Sequence, residues 1–66
     1  MSERIELPGG YVLTLEREDL GEVLAAYLYF PDREHDVSAR TVEHADGHLV
    51  LDIGGDGEPN GMEILR

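Results

Sequence analysis

Carboxylate residues that could bind a metal are concentrated near the end of the chain, in the stretch DIGGDGEPNGME that runs from Asp52 to Glu63. Acids stand at its first, fifth and twelfth places and Gly57 at its sixth, which imitates the spacing of an EF-hand calcium loop. The six ligand places of such a loop would hold Asp52, Gly54, Asp56, Glu58 (through its carbonyl), Asn60 and Glu63. Because Gly54 has no side chain, one ligand is missing.

The sequence on either side of this stretch favours the turn of a β-hairpin. An EF-hand needs a helix before and after its loop, whereas this stretch follows the strand-like LVLDI and leaves only three residues after Glu63. Pro59 also removes a backbone N–H that paired calcium loops use. We therefore expect a glycine-rich turn whose acids face water. The alternative is weak divalent-cation binding, of the Ca²⁺ type, by Asp52, Asp56, Glu58 and Glu63.

Composition limits the classes of function that the chain can serve. It has 66 residues, no cysteine, no lysine and a formal net charge of -10, so we expect one small domain, 1–66, without disulfides or thiolate metal sites. Such an acidic chain repels phosphate backbones, which excludes DNA and RNA as partners. No signal peptide or membrane span is evident, which predicts a cytoplasmic protein. No catalytic residue set and no cofactor motif is recognisable, so we do not expect an enzyme.

Alternating residues predict a mainly β fold. RIEL (4–7) and YVLTLE (11–16) flank the turn sequence PGG and predict a hairpin, in which Ile5 and Leu7 share one side of the first strand and Tyr11, Leu13 and Leu15 share one side of the second. AYLYF (26–30) and MEIL (62–65) also have strand character. We predict a small antiparallel meander of about five strands.

Residues 18–28 fit two structures. Leu20, Val23, Leu24, Tyr27 and Leu28 have helical spacing, and an acid three residues after Asp19 resembles a capping box. Gly21 weakens a helix. The sequence favours at most a short helical turn near residues 19–25 that leads into a strand, and the alternative is an α+β fold with a helix at 18–28.

A second hairpin is predicted around Asp46-Gly47. A three-residue loop, which we favour, pairs His44 with His48, Val42 with Val50 and Arg40 with Asp52. A two-residue turn pairs His44 with Leu49 and Val42 with Leu51 instead. The favoured loop leaves Leu49, Leu51 and Ile53 on one apolar face.

The predicted register leaves apolar residues on both faces of the sheet. Val12, Val42, Val50 and Leu65 would lie opposite the core and are therefore interface candidates. Because a small sheet cannot cover both of its faces with loops, a short helix or a second copy must cover this one. We expect a homodimer.

AYLYF followed by VSARTVEHADGHLVLDIGGDGEPNGMEIL resembles a bacterial family known as domain of unknown function 2283. Its closing motif would correspond to Asp52, Asp56, Gly57, Gly61, Met62, Glu63, Ile64 and Leu65. Gly54 and Pro59 depart from the family pattern, since an acid and a strand residue are usual there. The resemblance implies no activity.

These features together predict a small structural or interaction module that self-associates and presents an acidic surface to a basic protein partner. A weak divalent-cation-binding protein is the first alternative. A small enzyme whose site lies at a dimer interface is the second.

Overall fold

Six β-strands form a single antiparallel sheet in the computed structural model, which describes residues 2–19 and 21–65. The strands are β1 (Ser2–Glu6), β2 (Val12–Arg17), β3 (Val23–Tyr29), β4 (Ser38–Glu43), β5 (Leu49–Gly54) and β6 (Pro59–Leu65). The predicted mainly β antiparallel class is confirmed, with six strands rather than about five. No helix of the described residues is long and apolar enough to cross a membrane.

The strand order, β1-β2-β3-β6-β5-β4, divides the sheet into two three-stranded meanders. The first meander contains β1 to β3 and the second contains β4 to β6. They join where β3 pairs antiparallel with β6, from Ala25 opposite Leu65 to Tyr29 opposite Gly61. Residues 30–37 connect the two meanders. In this strand order, β1 and β4 form the two edges of the sheet.

The first hairpin closes as its turn sequence predicts. Pro8–Gly10 forms a single 3-10 turn, and Leu7 donates a backbone hydrogen bond of 2.9 Å to Tyr11. Gly9 and Gly10 have φ of 85° and 86°, in the region that glycine adopts most easily. Leu13 then pairs with Ile5, which places these two side chains on the same face.

The alternative α+β fold with a helix at 18–28 is wrong for the residues described, and the favoured turn that leads into a strand is observed without a helical segment. Glu18 and Glu22 close a tight turn, in which the Gly21 N–H donates to the Glu18 carbonyl over 2.9 Å and Gly21 has φ of 88°. The strand β3 begins directly afterwards, at Val23. Leu20, which contributed to the helical spacing, lies outside the described residues.

The favoured register of the second hairpin is also wrong. Val42 pairs with Leu51, and the His44 N–H donates to the Leu49 carbonyl over 2.9 Å, as in the two-residue alternative. The loop contains residues 45–48, and its geometry is fixed by Gly47 at φ 76° and by Asp46, whose side chain accepts from the His48 N–H. This register moves Val42 to the face that carries Leu51.

The sheet is one layer thick, and the structure describes no helix or second sheet packed on it. Every pair of elements in extensive contact is a pair of neighbouring strands. Val12 and Ile53 are the only buried hydrophobic residues among those described, at 9% and 7% exposure. The chain alone therefore forms little core.

Candidate functional site

The acidic turn is closed by an arginine from the connection between the two meanders. Arg33 donates two hydrogen bonds to the Asp56 carboxylate, over 2.7 and 2.8 Å, and a third of 3.0 Å to the Glu58 carbonyl. Asp56 and the Glu58 carbonyl correspond to the fifth and seventh ligand places of a calcium loop. The guanidinium thus binds oxygens that a metal ion would need.

This contact shifts the pKa of both partners in the direction that favours their charged forms. The Arg33 guanidinium, followed by the Glu58 N–H at 3.0 Å, holds the pKa of Asp56 well below its usual range. The hydrogen bond to Asp56 raises the pKa of Arg33 in return. Asp56 is therefore a carboxylate at all ordinary pH values.

The backbone of the stretch is that of a hairpin turn, as expected. Gly54 donates to the Glu58 carbonyl over 2.8 Å, Gly57 donates to the Gly54 carbonyl over 3.0 Å, and Gly57 has φ of 83°. The turn connects β5 to β6, which pair antiparallel. Gly57, which would provide the sharp bend of a calcium loop, here lets the chain reverse direction between β5 and β6.

The four candidate metal ligands are distributed over two places. Asp56 and Glu58 lie in the turn, whereas Asp52 and Glu63 belong to β5 and β6 and point to the face that also carries Tyr27. Within residues 2–19 and 21–65, no group of three or more acidic or histidine side chains is arranged to hold a metal.

Tyr27 crosses β6 to reach Asp52, a relationship that the sequence interpretation missed. Its hydroxyl donates a short hydrogen bond to the Asp52 carboxylate, and its ring lies 4.5 Å from that of Tyr29. Burial, and then the bond to Asp52, raise the pKa of Tyr27. A Cβ on Gly61 would lie only 2.6 Å from the Tyr27 ring, so the glycine makes room for this crossing.

One face of the sheet, the apolar face, is hydrophobic from edge to edge. The pairing registers place one row of side chains straight across all six strands: Ile5, Leu13, Leu28, Met62, Leu51 and Val42. A neighbouring row consists of Glu3, Leu15, Ala26, Ile64, Leu49 and His44. The edge residues Ile5 and Val42 are 37% and 46% exposed, and Ile64 near the centre is 37% exposed.

The opposite, polar face is partly covered by the chain itself. Arg4 on β1 binds Glu34 over 2.8 Å, and the Asn60 amide donates to the Val37 carbonyl over 3.4 Å. These contacts draw residues 31–37 over one end of this face, where Val12 is buried. Residues 31–37 therefore cover part of the face that was expected to need a cover, whereas no segment of the described residues covers the presumed core face.

The four interface candidates do not form one patch. Val12, Val50 and Leu65 share the polar face, while the corrected register places Val42 on the apolar face. Val12 is buried within its own chain, whereas Leu65 is 36% exposed. On the apolar face, a groove of about 380 Å³ lies among Val42, His44, Leu49, Leu51 and Met62.

Comparisons of the chain with family models, with curated proteins and with solved structures found no match. The resemblance to domain of unknown function 2283 therefore stays a prediction.

Proposed function

We propose that the chain is a small structural or interaction module that works as a pair of copies, packed together through their apolar faces. The observation that carries this proposal is the hydrophobic row from Ile5 to Val42, which crosses every strand and which no described element of the chain covers. Soluble domains bury such a face against a second layer. The proposal keeps the cytoplasmic location that the sequence predicts.

The dimensions of the sheet support this pairing. The molecule measures 39 by 29 Å in its two longer directions, a rectangle of about 1,100 Å². A standard stable interface needs about 800 Å² per partner, so the face is large enough. The accessible surface, 4618 Å², exceeds by about 450 Å² the area usual for a folded monomer of this mass. An excess of this kind is expected of a subunit whose exposed surface is partly buried by a partner.

The opposite face gives the module an acidic surface for a basic protein partner. Its strand positions include Glu6, Glu16, Glu43, Asp52 and Glu63, and the formal net charge is -10. Of the five arginines, Arg4, Arg17 and Arg33 already form ion pairs within the chain. The surplus negative charge favours a cationic partner through complementarity.

A substitution at one edge strand tests the pairing. Val42 and Thr41 are adjacent, exposed residues of β4 whose side chains lie on opposite faces. Val42→Glu would bury an unpaired carboxylate, so we expect it to weaken association at least tenfold, whereas the control Thr41→Glu leaves association unchanged. Sedimentation from micromolar to hundreds of micromolar protein measures both effects. A wild-type chain that stays monomeric over this range would refute the proposal.

A further inference from the structure

The charged side chains of the apolar face lie towards its two edges, and the acidic one, Glu3, already pairs with Arg17 at the end of β2. Glu3 lies on β1, while His44 follows β4 and Arg40 lies within it. The strands between them, β2, β3, β6 and β5, contribute apolar side chains to both rows. The charges can therefore decide the orientation of a second copy, because the apolar rows fit in more than one way.

Face-to-face packing with two-fold symmetry requires an axis that lies between the sheets and parallel to them. An axis along the strands, between β3 and β6, places β1 of each copy over β4 of the other. Ile5 then faces Val42, and Glu3 faces His44, because each pair shares a row at the same distance from the axis. An axis across the strands places every strand over its own copy instead.

The second orientation is unfavourable at the basic edge. It brings Arg40 against the edge of the other copy that also carries Arg40, and like charges that meet at an interface are costly. The first orientation places β1, with Glu3, over β4, with Arg40, of the other copy. Glu3 already binds Arg17 in its own chain, so the edge that meets Arg40 carries both charges and no surplus of positive charge.

We propose that two copies pack as a sandwich whose two-fold axis runs along the strands between β3 and β6, so that β1 of each copy covers β4 of the other. This arrangement rests on the proposed function and specifies its interface. Sheets packed in this way lie about 10 Å apart and cross at about 30°. The polar faces then point outward on both sides.

Cysteine cross-linking tests the arrangement cleanly, because the chain has no cysteine of its own. The single variants Ile5→Cys and Val42→Cys each change one exposed edge residue. We expect an equal mixture of the two, refolded together and treated with a bifunctional thiol reagent that spans about 10 Å, to yield a cross-linked mixed dimer, because facing sheets lie too far apart for a direct disulfide. Either variant alone should yield at least fivefold less. Thr41→Cys, on the polar face of β4, replaces Val42→Cys as the matched control and should not link to Ile5→Cys.

The outcomes separate this arrangement from the proposed function. Efficient linking of Ile5→Cys to itself would overturn the arrangement, because only an axis across the strands brings the two Ile5 residues together. A dimer in sedimentation without the mixed link would overturn it as well, while leaving the pairing of apolar faces in place. A monomer in sedimentation would instead refute the proposed function and the arrangement with it.

Discussion

Arg33 and Asp56 are separated by 23 positions in the sequence, and the guanidinium of one binds both carboxylate oxygens of the other, over 2.7 and 2.8 Å. Two parallel bonds of this kind fix both position and orientation. They attach residues 30–37, which connect the two meanders, to the turn between β5 and β6. A tethered cation thus neutralises the acid at the centre of the calcium-like stretch.

Replacing Arg33 with glutamine is expected to lower the thermal midpoint at neutral pH. The folded pKa of Asp56 is depressed, so its contribution to stability is complete above the unfolded pKa of about 4 and is lost as the pH falls towards the folded value. The difference between wild type and Arg33→Gln should therefore shrink in acid. Thermal unfolding at neutral pH and at about pH 2 measures it.

Arg40→Gln is the control for this experiment, since Arg40 forms no ion pair with any residue that the structure describes. It should change the midpoint less than Arg33→Gln does at neutral pH. An Arg33→Gln effect of equal size at both pH values would show that the ion pair is not its cause.

Calcium at millimolar concentration is expected to leave the thermal midpoint of the wild-type chain unchanged. Arg33 already binds Asp56 and the Glu58 carbonyl, so a metal would have to displace it. Any ligand that binds only the folded state raises the midpoint, which makes unfolding in the presence of calcium a direct measurement. A rise that disappears in Asp56→Asn would contradict this prediction.

Gly61→Ala is expected to destabilise the fold by about 1–3 kcal/mol, the usual cost of forcing an extra methyl group into a packed site. The new Cβ would lie 2.5 Å from the Leu28 carbonyl oxygen and 2.6 Å from the Tyr27 ring. Gly55→Ala is the matched control from the same hairpin, because no heavy atom beyond its chain neighbours would lie within 4 Å of the new Cβ. Chemical denaturation of both variants checks the prediction, and equal stabilities would contradict it.

Moderate salt is expected to raise the thermal midpoint and to strengthen association. The formal net charge of each chain is -10, so charges repel one another within a copy and between copies. At about 0.3 M salt the screening length falls well below 10 Å, which weakens this repulsion. Unfolding and sedimentation at low and moderate NaCl provide the measurement. A midpoint that falls as salt is added would argue that attractive surface pairs dominate.

Side-chain alternation was enough to assign the residues of the apolar face, because that pattern belongs to each strand alone. Ile5, Leu13, Leu51 and Ile64 all lie where the pattern places them. The helical spacing of residues 20–28 was misleading because residues four apart also share a face in a strand. Leu24 and Leu28 satisfy both periods, and the turn at Gly21 decides between them.

How separate segments pair with each other could not be predicted from the alternation of side chains within one strand. The favoured register of the second hairpin was chosen to keep Leu49 and Leu51 on one face, but every register keeps them there. Val42 distinguishes the registers, since only the observed one adds it to the apolar row. The bond from Arg33 to Asp56 depends on how residues 30–37 cross the sheet, and no local pattern reports that path.

The junction of β3 with β6 has a consequence for the speed of folding and unfolding. Each three-stranded half contains only hairpin contacts, which close short loops and form rapidly. The junction instead joins residues more than thirty positions apart, so its formation costs more conformational entropy because a longer loop must close. We expect the halves to form early and their union late. Weakening the junction should then accelerate unfolding and hardly slow refolding.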